Sequence, residues 1–103
     1  MTHYSVLDVT PTSQDWIEDY LPTANRLIAK HGGTYLARTS AHERLEGDGS
    51  DVSDGTLRIV IEWPSAEAAK AFMADPEYQP HLKARHCGSV SNHYLIAGKD
   101  DLA

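Results

Sequence analysis

The stretch TLRIVIEWPSAEAAKAFMADP, residues 56–76, constrains the fold more than any other part of the chain. Residues 56–63 are dense in β-branched and aromatic side chains and read as a strand. Pro64-Ser65 breaks that run and opens a helix, in which Ala69, Phe72 and Met73 fall on one face. Asp75-Pro76 stops it. A strand feeding directly into an amphipathic helix is half of a β-α-β unit, and the chain begins with the same grammar. HYSVLDV, residues 3–9, reads as a strand ending at Thr10-Pro11. From Thr12 the period changes, and Trp16, Ile17, Tyr20, Leu21, Ala24, Leu27 and Ile28 recur at spacings of three and four. Thr12 or Ser13 is a natural cap for this helix. Pro22 predicts a kink or break near Leu21, and Gly32 supplies the left-handed stop after Lys30-His31.

A second strand follows from GTYLAR toward Leu45, then a polar loop over 46–55. Beyond the second helix, EYQPHLKARHCGS predicts turns or broken helix, and residues 92–97 read as the last strand. The order is β-α-β-β-α-β in 103 residues. That order implies one α+β domain over 1–103, with its core at about 3–97. The expected layout is ferredoxin-like: a four-stranded antiparallel sheet with two helices on one face.

A sheet covered on one side should be polar on the other. These strands are not. Leu57, Ile59, Ile61 and Trp63 share one parity, but Val60 has the other. Tyr94 and Ile96 likewise oppose Leu95 and Ala97. The chain has no element left to cover a second apolar face, so a second copy is expected to do so, as a homodimer with sheets face to face.

Composition closes off several classes of function. Net charge is −6 and the nine basic residues are scattered, which leaves no footprint for nucleic acid. No stretch approaches a membrane span, and the N-terminus lacks the basic and apolar regions of a secretory signal. Cys87, the only cysteine, is expected to be a free thiol in a reducing, cytoplasmic setting.

KHGGTYLAR, ERLEG and RIVIEWPSAEAAKAFMADPEYQPHLKAR, in that order, resemble the bacterial family of domain of unknown function 1330. The resemblance covers residues 3–97 and implies a dimeric α+β barrel, in which two ferredoxin-like sheets close around a shared core. It implies no activity. Thr39-Ser40 stand where that family usually has a glycine pair.

Candidate chemistry centres on two charges within apolar strands. Arg38 and Glu62 both have the parity of Val60, which predicts that they meet in the space between the sheets. Such a pair either fixes register or forms a site, with the guanidinium fork binding a carboxylate or enolate oxygen and Glu62 accepting a proton. One of His93 and Tyr94 must face the same space, and Tyr78 belongs to the family resemblance. The six histidines lack metal-ligand spacing, and no cofactor fingerprint is present, so neither a metal nor a cofactor is expected. Asp48, Asp51 and Asp54 lack the alternation of a calcium loop and predict a solvated connection. The expected function is binding of a small acidic or aromatic molecule in a pocket by the sheet. The alternatives are a cofactor-independent monooxygenase- or isomerase-like enzyme, in line with relatives in the wider superfamily, and a non-catalytic regulatory or assembly dimer.

Overall fold

The structure is a computed structural model and describes residues 1–50, 53 and 55–103. Its elements are β1 (His3–Pro11), α1 (Ile17–Lys30), β2 (Thr34–Thr39), β3 (Leu57–Trp63), α2 (Ala66–Ala74), α3 (Gln79–Gly88) and β4 (Ser89–Ala97). The four strands form one sheet in the order β2-β3-β1-β4, and each neighbouring pair is antiparallel. This is the expected ferredoxin-like arrangement, with three helices on one face instead of two.

The inward face of the sheet follows the predicted parity on β3. Ile59, Ile61 and Trp63 are buried there and pair with Leu7, Ser5 and His3 of β1. Ala24, Leu27 and Ile28 from α1, with Ala69 and Phe72 from α2, complete the core against them. Trp63 is 1% exposed and its ring centroid lies 5.6 Å from that of Phe72, which in turn lies 4.3 Å from Tyr78. The HGG motif serves this core. Gly32 has φ +85° and turns the chain out of α1, while a side chain on Gly33 would meet Trp63 at 2.7 Å and Ile28 at 2.8 Å.

Several boundaries differ from the sequence reading. Pro22 does not break α1, which runs unbroken from Ile17 to Lys30. The ladder bond that Pro22 cannot make would have gone to the carbonyl of Glu18, and both residues lie on the exposed side, where water can take that carbonyl. Neither Thr12 nor Ser13 caps the helix; Trp16 holds that position without a side-chain cap. The residues expected as turns or broken helix form the continuous helix α3, pinned at its start because Tyr78 packs into the core and the Leu82 amide bonds its carbonyl at 2.8 Å. β4 begins at Ser89 rather than 92, because Thr10 and Pro11 extend β1 and give Val90 and Ser89 partners. β2 stops at Thr39, well short of Leu45. Asp51 and Asp54 of the polar loop lie outside the described residues.

Among the described residues, nothing covers the outer face of the sheet. Val90 is 65% exposed, Tyr94 69%, Ile96 48% and Val6 39%. Asp8 and Arg58 face each other on the same side at 3.6 Å.

Candidate functional site

The β2–β3 register decides where the two singled-out charges go. Tyr35 pairs with Ile61, but Ala37 pairs with Val60, so a bulge at Leu36 adds one residue to β2. Strand side chains alternate with a period of two, and an extra residue reverses every position that follows it. Arg38 therefore pairs with Ile59 and faces the helices, where unbroken alternation would have sent it to the outer face. Glu62, paired with Thr34 and Tyr4, is exposed on the outer face. The predicted meeting of Arg38 and Glu62 does not occur. Arg38 instead donates from Nη1 to Asn25 Oδ1 of α1 at 2.8 Å, and its guanidinium stacks 4.0 Å from the centre of the Tyr35 ring.

Between the helices and the inward sheet face lies a cavity of about 70 Å³. Leu7, Leu57 and Ile59 form its floor, and Trp16, Tyr20, Tyr35, Tyr78 and Phe72 place aromatic rings around it. Arg38, Arg85 and His93 also line it. Leu21 and Arg38 are exposed, and they mark the side on which it meets solvent. The aromatic wall is braced at both ends. Trp16 Nε1 donates to the carbonyls of Ser13 and Gly88, each at 3.0 Å, and its ring meets Tyr20 edge-on at 5.2 Å. The hydroxyls of Tyr20 and Tyr78 share a hydrogen bond of 2.5 Å.

His93 and Tyr94 divide as neighbours on a strand must. His93 points into the cavity, and Tyr94 sits on the outer face opposite Val6. His93 Nε2 lies 2.7 Å from Ser5 Oγ, which also accepts from Trp63 Nε1 at 2.8 Å. Ser5 is fully buried and is the polar centre of the inward face. Burial, aided by the nearby Arg85 cation, lowers the His93 pKa to about 4, so the ring is neutral at pH 7.

Arg85 is the unusual group. It is 4% exposed, and its Nε has no hydrogen-bond partner among the described residues. No carboxylate lines the cavity among those residues. Its positive charge is felt at Tyr35, Tyr78 and His93. Burial raises the Tyr35 hydroxyl to about 12, against the opposing pull of Arg38, and burial with the neighbouring Tyr20 raises Tyr78 as well. Both phenols stay protonated and able to donate at neutral pH.

Of the residues expected at a site, Arg38, His93 and Tyr78 come together at this cavity, while Glu62 and Tyr94 do not. Sequence reasoning missed Tyr20, Tyr35 and Arg85. Tyr78, Leu82 and Arg85 have helical spacing, and that signal was available once 79–88 was read as a helix. No group of three or more His, Cys, Asp or Glu side chains clusters among the described residues, and Cys87 is a free, exposed thiol there.

The family model for domain of unknown function DUF1330 matches residues 2–99, and the chain belongs to that family. None of the curated proteins matches significantly. Among solved structures, the chain is similar to SnoaB, a cofactor-independent oxygenase from Streptomyces nogalater. That likeness has a TM-score of 0.67 at 20% identity over 98% of this chain and 96% of that one. A protein of unknown function from Rhodopseudomonas palustris superposes with TM-score 0.71 at 16% identity, over 95% of this chain and 83% of the other. A structure described as an antibiotic biosynthesis monooxygenase gives 0.51 at 18% identity, over 94% and 99% of the two chains. At these identities the likeness is one of fold.

Proposed function

We propose that this DUF1330 member binds a small aromatic or acidic molecule in the cavity between its helices and sheet, and that it does so as a homodimer. The observation that carries the reading is the wall of the cavity, where aromatic rings and two guanidinium groups converge on an enclosed space of about 70 Å³. Ligand sites combine this kind of apolar lining with a few placed polar groups. At about 70 Å³ the space takes only part of a one-ring molecule, whose remainder extends toward Leu21 and Arg38 at the rim. The second copy is supported by the outer face. A row of exposed Val6, Val90, Tyr94 and Ile96 is a surface suited to an identical sheet.

The two tryptophans provide the test. Trp16 lines the cavity, whereas Trp63 is sealed in the core. Titration with phenol and benzoate should move the Trp16 indole N–H resonance and leave that of Trp63 nearly fixed. If millimolar ligand moves neither, the cavity is a packing gap, and the chain is better read as a non-catalytic dimeric module.

A second reading is favoured by the likeness to SnoaB and to the monooxygenase. Here the bound molecule is an electron-rich aromatic, dioxygen is the oxidant, and the protein supplies position and charge without a cofactor. Dioxygen uptake with a dihydroxynaphthalene, above the rate without protein, checks it.

A further inference from the structure

The charge of Arg85 has no carboxylate counterpart among the described residues. A buried ion without a partner costs several kcal/mol, and native structures rarely leave one so. The groups packed around this cavity are Arg38 from β2, Tyr35 beside it, Tyr20 from α1, Tyr78 before α3, and His93 from β4. Two of them are cationic or neutral nitrogen groups and three are phenols. None brings a negative charge at neutral pH. The cavity thus has a largely apolar lining, rich in aromatic rings, and carries positive charge.

We propose that the molecule held here is an aromatic anion, with a phenolate or carboxylate oxygen seated on the Arg85 guanidinium and its ring between Trp16, Tyr20 and Tyr35. This rests on the cavity being a ligand site. A neutral aromatic molecule would satisfy the walls and leave the charge stranded. An anion supplies the missing counter-charge, and the planar fork of Arg85 suits an oxygen acceptor. The bond between the Tyr20 and Tyr78 hydroxyls uses one of their two protons, and the charged guanidinium is a stronger donor to an anion than the phenols that remain. Arg38 has a partner already in Asn25 and stands at the exposed rim. It guides entry, and Arg85 holds the charge. A phenol bound in this way is made more acidic, because the cation stabilises its ionised form.

The probe is 4-nitrophenol, whose colour reports its ionisation directly, with benzoate and benzamide as a charged and a neutral molecule of equal shape. Wild-type protein should raise the phenolate fraction of bound 4-nitrophenol at fixed pH and bind benzoate at least tenfold more tightly than benzamide. These arms need no variant. Arg85→Met should abolish both preferences while still admitting benzamide, and Arg38→Met should keep most of them. In the absence of ligand, Arg85→Met should unfold no earlier than wild type, since it removes an unpaired charge. Equal binding of benzoate and benzamide with no change in ionisation overturns the anion assignment and leaves the cavity reading standing. Binding of none of the three overturns both. Loss of the preferences in Arg38→Met alone moves the anchor to the rim and overturns the role of Arg85. A clearly lower unfolding midpoint for ligand-free Arg85→Met means that the assembly itself holds the counter-charge, which also overturns it.

Discussion

Replacing Gly88 by alanine tests how tightly Trp16 is seated against the end of α3. Gly88 ends α3, and its carbonyl accepts from the amides of Thr12 and Ser13 at 2.8 and 3.2 Å and from Trp16 Nε1 at 3.0 Å. A methyl group on Gly88 would overlap Trp16 Cδ1 outright and reach its Nε1 at 2.5 Å. Gly88 is not among the glycines with positive φ, so alanine is conformationally permitted and gains about 0.5–1 kcal/mol from helix preference. Against that, displacing a packed ring costs about 1–3 kcal/mol. Weakening the indole hydrogen bonds costs about 1 kcal/mol more. The steric side wins, and Gly88→Ala should lose about 1–3 kcal/mol in urea unfolding, a fall of several degrees in Tm. In a Trp16→Ala background the overlap with the ring is gone and only Ser13 Oγ at 3.1 Å stays close, so the same change should cost far less or become neutral. An equal cost in both backgrounds, or a stabilised single variant, would refute the reasoning, because the indole would then not be pressed against α3.

Three further outcomes follow from other parts of the molecule. Ser5→Ala strands the buried Trp63 N–H and should cost roughly 1–3 kcal/mol in chemical denaturation, with a loss under about 0.5 kcal/mol counting against Ser5 as the polar centre of the sheet. His93 has a folded pKa of about 4 against an ordinary 6.5, so the unfolded chain takes the proton more readily. Its contribution to stability is intact above pH 6.5 and is lost as pH falls toward 4. Stability measured across that window should slope less in His93→Gln than in wild type, and parallel profiles would contradict the assignment. Sedimentation at low micromolar concentration should give about twice 11.4 kDa for wild type, and Ile96→Glu should give the single-chain mass. A well-folded wild-type monomer would remove the case for the second copy.

Much of this architecture was legible because local signals agreed with one another. The strand 56–63, the Ser65 cap and the stop at Asp75 were each readable from a few residues, and the βαββαβ order then admitted few topologies. The parity of β3 put Ile59, Ile61 and Trp63 on one shared face, which the structure shows to be the inward one. Arg38 failed for a non-local reason. Its side was set by a bulge two residues earlier, and TYLAR carries no glycine or proline to announce one. α3 was missed because its apolar face is thin: QPHLKARHCG has few large apolar residues, and the element is held by Tyr78 ahead of it and Trp16 across from it. Arg85 could not be recognised before that helix existed, since an arginine among HLKAR reads as surface charge until the packing puts it under a layer of rings.

The bulge at Leu36 also acts as a phase setting. A strand has two settings, and one inserted or deleted residue switches between them at every position downstream, much as a single base shifts a reading frame. Without it, Arg38 would join Val60 and Glu62 on the outer surface, and Ala37 would turn toward the helices in its place. A chain of this kind can therefore exchange a charged rim for a neutral one, and add a cation to the outer surface beside Glu62, through a single-residue length change in β2 that leaves the buried residues of β1, β3 and α1 as they are.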